Sequence, residues 1–126
     1  DEVDAGEIGA GHSVTALYEF KLYQGETGEI ATVSFRWADP EDREVTEISE
    51  VIRTRDLHDT FSEASFYYQW DVLTAEFAEV LRESYWARDT DLDDLLDYFE
   101  ALDRRYNLDE DREECLEMVE TAEWLD

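Results

Sequence analysis

The side chains best suited to chemistry are two histidines, one cysteine and a set of closely spaced aspartates. His12 follows a glycine-rich loop that contains Gly6, Gly9 and Gly11. A phosphate-binding loop would have lysine in place of His12, and a helix after it whose N-terminus faces the anion. The alternation of apolar and polar residues after Ser13 predicts a strand instead. The sequence therefore favours a structural loop, with a nucleotide-handling enzyme built around His12 as an alternative.

A second group of acids has the spacing of a calcium-binding loop. Its members are Asp89, Asp91, Asp93, Asp97 and Glu100. Asp94 stands where that loop needs glycine, and the segment overlaps the leucine stripe of a predicted helix. The sequence favours a solvated helix N-terminus, and a calcium-dependent binding module remains an alternative.

The remaining candidates, His58 and Cys115, form no metal-ligand or catalytic pattern with His12. Cys115 lies at an apolar helical position, which is typical of a buried small hydrophobe. As the single cysteine of the chain, it cannot form an internal disulfide. We therefore expect no catalytic residue, no cofactor and no metal.

The composition is strongly acidic. The 126 residues carry a net charge of −26, from 36 acidic and 10 basic side chains, and Lys21 is the only lysine. Long-range repulsion makes nucleic acid and anionic membranes poor partners. No apolar run is long enough to span a bilayer. The negative charge has two interpretations: the surface is adapted to high salt, or the domain binds a basic partner or divalent cations. In either case, repulsion among the carboxylates should destabilise the fold at low ionic strength.

The spacing of apolar residues, which predicts the secondary structure that positions these side chains, changes along the chain. Alternation predicts strands over 13–23, 29–38 and 44–53, with Gln24–Gly28 and Asp39–Asp42 as the connections. Past Phe61 the apolar spacing becomes helical.

Three helices are predicted, over 62–85, 91–106 and 110–124. Their expected N-terminal signals are Ser62 for the first, a Thr90–Asp93 capping box for the second and Asp109 for the third. Their expected apolar stripes are Phe66, Trp70, Leu73, Phe77 and Leu81; Leu92, Leu95, Leu96, Phe99, Leu102 and Tyr106; and Cys115, Met118, Val119, Ala122 and Leu125.

Strands before helices predict an α+β domain in which an antiparallel meander of about three strands packs against three C-terminal helices. We expect a single domain over 1–126, with an entry loop at 1–12, strands within 13–53 and helices within 62–125. Because apolar residues occupy both faces of the first strand, we also expect strands from outside this fragment to complete the sheet.

Aromatic residues bracket the first predicted helix. Tyr67, Tyr68 and Trp86 lie off its main stripe. The simpler interpretation is packing between helix and sheet, and the alternative is an interface with a partner or a neighbouring domain.

The segment Asp4–Glu19, DAGEIGAGHSVTALYE, resembles the signature segment of a C-terminal domain in bacterial von Willebrand factor type A proteins of uncharacterised function. Glu29–Trp37 and Ser65–Ser84 fit the next strand and the first long helix of that family. The resemblance implies a fragment of a longer protein, with the von Willebrand domain as neighbour and a location at the cell envelope or outside the cytoplasm. We expect a non-catalytic module that supports that domain or binds an as yet unknown protein.

Overall fold

The computed structural model describes residues 8–23, 25 and 27–125. Their contacts form two compact units. A hairpin unit lies within Tyr18–Glu63. A helical unit comprises the described residues up to Leu17 and from Ala64 onward. Strands and helices occupy separate parts of the chain, so the architecture is α+β.

The hairpin unit contains β1 (Glu29–Ala38) and β2 (Val45–Arg53), which pair as an antiparallel two-stranded sheet. Both strands lie where the alternation predicts them. The backbone closes across their connection, with the Asp39 N–H donating to the Glu44 carbonyl at 2.9 Å. The side chain of Asp39 accepts a further hydrogen bond from the Glu41 N–H. Such Asx bonds stabilise a turn locally.

The predicted first strand is not confirmed, because the described residues from 12 to 23 form neither strand nor helix. The alternation of side chains predicts which face of a strand is buried, but it does not predict which strand provides the backbone hydrogen-bond partners. Near its start this segment bonds a helix instead: the Thr15 hydroxyl donates to the Asp71 carboxylate at 3.1 Å. The described chain therefore has two strands where the sequence predicts three.

The first helix, α1 (Phe66–Leu81), is shorter than predicted. Ser65 caps it by accepting from the Tyr68 N–H at 3.3 Å, whereas Ser62 lies in a separate 3₁₀ turn, so the cap predicted at Ser62 is wrong. The helix ends at Leu81, and two residues later Glu83 has a φ of 53°.

The second helix, α2 (Leu92–Tyr106), has Asp91 as its N-cap rather than Thr90, whose hydroxyl instead donates to Glu76. It ends at Asn107, in the left-handed conformation that asparagine tolerates better than most residues.

The third helix, α3 (Glu110–Leu125), has the predicted cap. The Asp109 carboxylate accepts from the Arg112 N–H at 3.1 Å.

The helical core centres on α2, which packs against both α1 and α3. Phe99 is 0 % exposed and meets the Trp70 ring edge-on, with 5.2 Å between centroids. The other buried apolar residues of the three helices are Leu73, Phe77, Leu95, Leu102 and Val119. These positions agree with the predicted stripes.

Four predicted core residues, Leu81, Tyr106, Met118 and Leu125, are exposed instead. On α3 the inner face passes through Arg112, Leu116 and Val119. The Arg112 guanidinium lies over the rings of Phe66, Tyr67 and Trp70, at 5.3 to 5.8 Å from their centroids. Apolar periodicity does not predict this arrangement, because it assigns only apolar residues to the buried face of a helix. With Arg112 inward, Met118 turns outward.

Candidate functional site

The glycine-rich loop is a tight turn. Gly6 lies outside the described residues. The His12 N–H donates to the Gly9 carbonyl at 3.1 Å, and Gly11 has a φ of 80°. A positive φ at the third position is the type II geometry that selects glycine. A Cβ on Gly9 would lie 2.9 Å from His12 Nδ1, so a larger residue there would require the exposed imidazole to move.

The helix that a phosphate-binding loop requires does not follow this turn, because the described residues after it form no helix up to Tyr23. His12 itself is exposed. The geometry agrees with the structural role that the sequence favours, and it gives no support to a nucleotide site.

Three of the five acids with calcium-loop spacing have other partners. Asp91 accepts from the Asp93 N–H as the N-cap of α2, Asp89 pairs with Arg88, and Glu100 pairs with Arg104. Among the residues that the structure describes, no group of three or more histidine, cysteine or acidic side chains is placed to hold a metal ion. Calcium binding stays a prediction.

Cys115 is half-buried on α3. Burial raises the pKa of its thiol, and a hydrogen bond with Thr74 acts in the opposite direction. A raised pKa keeps the thiol protonated at neutral pH, which is the opposite of a reactive thiolate.

The three aromatic residues predicted at an interface differ in their surroundings. The Tyr67 ring packs edge-on against Phe66 at 5.5 Å between centroids and lies under the Arg112 guanidinium, so part of it serves the fold. Tyr68 is exposed on α1. Trp86 is 82 % exposed.

Trp86 belongs to a 3₁₀ turn, Tyr85–Ala87, that follows α1. It packs edge-on against Tyr85, whose ring carries the Arg88 guanidinium at 4.1 Å from its centroid. The next residue, Ala87, is buried, and the Ser84 hydroxyl accepts from the Trp86 N–H. Aromatic residues beside arginine are enriched at binding hot spots, so this turn is a candidate contact.

The hairpin unit has an exposed apolar surface on one face of its sheet, where the sequence predicts packing against the helices. Opposite residues in an antiparallel ladder share a face, and Phe35 pairs with Ile48. We call this the hairpin face: Val33, Phe35 and Trp37 on β1 with Ile48 on β2. Phe35 is 61 %, Trp37 49 % and Ile48 54 % exposed.

The hairpin face was missed as a site because alternation looks the same whether a strand faces its own core or a partner. Among the described residues, β1 and β2 pair with each other and with no third strand, and a lone hairpin is marginally stable in water. The opposite face carries polar pairs such as Ser34 with Ser49, whose hydroxyls bond at 2.8 Å. The hairpin face also includes Thr46 and Glu50, and the opposite face includes Val45 and Val51, so the aromatic rings of Phe35 and Trp37 are what distinguish the hairpin face.

Among the described residues, no helix has both the length and the apolar content that a bilayer span requires.

Comparison with known proteins gives one match. A family model described as "Uncharacterized protein YfbK, C-terminal" matches residues 1–125. No curated protein and no solved structure gives a significant match. Because the family model covers nearly the whole chain, the chain belongs to the family of the C-terminal domain of the uncharacterised protein YfbK.

Proposed function

We propose that this chain is a non-catalytic accessory module of a von Willebrand factor type A protein, and that its hairpin face docks onto that neighbouring domain or another protein at the cell envelope. The family model supports a C-terminal domain of a larger protein. The resemblance of the segment ending at Glu19 supports a von Willebrand domain as the neighbour.

The observation that carries the proposal is the exposed hairpin face. Neither β1 nor β2 contains a buried residue, although Phe35 and Trp37 lie on one face of β1 and Ile48 lies opposite Phe35. Burying apolar area stabilises by about 25 cal/mol per Å², so leaving such large side chains in water forgoes several kcal/mol. A folded partner that covers this face would recover that energy and stabilise the two-stranded sheet.

The hairpin also offers open backbone edges. A two-stranded sheet has unpaired N–H and C=O groups along both outer sides, which can accept a further strand. Addition of a strand from outside this fragment would extend the sheet, as we expect from the sequence. Such pairing would supply hydrogen bonds beside the apolar contact.

The test is a titration of the 126-residue chain with the separately expressed von Willebrand domain of the same polypeptide. We expect Phe35→Asp to weaken binding by about tenfold or more, because the carboxylate would be buried without a partner. Val45→Asp is the matched control: it adds the same charge to an exposed apolar position on the opposite face.

The proposal fails if the unsubstituted chain does not bind the domain, or if the two variants weaken binding equally. Circular dichroism on both variants verifies that the hairpin and the helices still form.

A further inference from the structure

The outer face of α3 is a second exposed apolar surface, in the helical unit. It consists of Glu114, Glu117, Met118, Thr121, Trp124 and Leu125, and a shallow depression is lined by the first four of these. Met118 is 54 %, Trp124 79 % and Leu125 69 % exposed. Three large apolar side chains thus stand in water within two turns of one helix.

The helical segment that carries this face is also strongly acidic, with Glu114 and Glu117 on the face itself. Residues 113–125 include glutamates at 113, 114, 117, 120 and 123 and no basic residue. Within the described chain, no ion pair engages these glutamates. Positive charge on α3 is confined to Arg112, which is turned inward.

The combination narrows the choice of partner. A surface that only adapts the protein to salt needs carboxylates, but it gains nothing from an exposed Trp124 or Leu125. A second copy would bring two sets of glutamates together, at a cost that rises as salt falls. Nucleic acid and anionic lipid meet the same repulsion. A cationic segment with one apolar face could pair with the glutamates and also cover the exposed apolar side chains.

We propose that the outer face of α3 binds a cationic amphipathic helix of a partner protein. Its apolar side packs on Met118, Trp124 and Leu125, and its lysines or arginines pair with Glu114 and Glu117. In binding of this kind, electrostatic attraction brings the partner close, and packing of apolar side chains stabilises the complex. The site is separate from the hairpin face and does not depend on the von Willebrand domain.

The test uses the 126-residue chain and a labelled 18-residue peptide of leucine and lysine that forms one apolar helical face. A peptide of the same composition, scrambled to remove that face, is the control. Fluorescence anisotropy measures both affinities at low and high salt. We expect the amphipathic peptide to bind more tightly than the scrambled one, with an affinity that falls as salt rises.

Two variants locate the contact. Trp124→Ala combined with Leu125→Ala should weaken binding by about tenfold or more, because it removes two anchors. Leu81→Ala is the matched control, since it removes an exposed apolar side chain from α1, another part of the helical unit, and should leave binding unchanged. Circular dichroism confirms that each variant retains its helices.

Three results would overturn the proposal. Equal affinity for the two peptides would mean that binding depends on the peptide's charge alone and not on its apolar face. Equal loss in the two variants would place the contact away from α3. Concentration-dependent dimerisation of the chain that disappears in the Trp124→Ala, Leu125→Ala variant would make a second copy the occupant.

Discussion

Phe99→Ala tests the packing of the helical unit most severely. The Phe99 side chain is fully buried at the centre of α2 and meets the Trp70 ring edge-on. A buried aromatic removes about 150–250 Å² from water, and truncation to alanine in a core costs about 3–5 kcal/mol. A domain of this size has about 5–15 kcal/mol of stability in total. We therefore expect the variant to lose a large part of its free energy of unfolding.

The assay is urea unfolding followed by helical circular dichroism, in about 1 M salt so that self-repulsion is screened. Tyr98→Ala is the control, because Tyr98 precedes Phe99 on the same helix and its side chain is exposed. It should cost far less. A loss below about 1 kcal/mol for Phe99→Ala, or equal losses for the two variants, would refute the core described above.

The other predictions concern charge, capping and the thiol. The melting temperature should rise with ionic strength, because a net charge of −26 repels itself; a melt that does not change with salt would contradict this. Ser65→Ala should cost about 1 kcal/mol and Ser62→Ala much less, as urea unfolding can measure, because only Ser65 caps α1. Burial raises the Cys115 pKa, so its contribution to stability is present below the thiol pKa of the unfolded chain and is lost as pH rises through the folded value. Urea unfolding across alkaline pH should show this extra loss relative to Cys115→Ala.

The helices could be predicted closely from the sequence, because each buried stripe repeats over several turns. The ends of α2 and α3 agree with prediction to about one residue. The start of α1 was misplaced, because Ser62 and Ser65 are equally good caps by residue type. Only the 3₁₀ turn at Phe61–Glu63 decides between them.

The strands could be predicted only as far as they have a local partner. β1 and β2 are joined by a short turn and pair as expected. The segment 13–23 has equally good alternation, but alternation does not provide a pairing partner. The same limit applies to the two candidate surfaces. Periodicity places Phe35 on an apolar face of β1 and Met118 on an apolar face of α3. It does not show whether either face packs against the chain itself or against another molecule.

The most direct test of the docking proposal is hydrogen exchange of the β1 and β2 amides, measured in the 126-residue chain and in a longer polypeptide that includes the von Willebrand domain we propose as its neighbour. The proposal predicts slow exchange along both strands in the longer polypeptide and faster exchange in the shorter chain. Identical exchange in the two samples would contradict it.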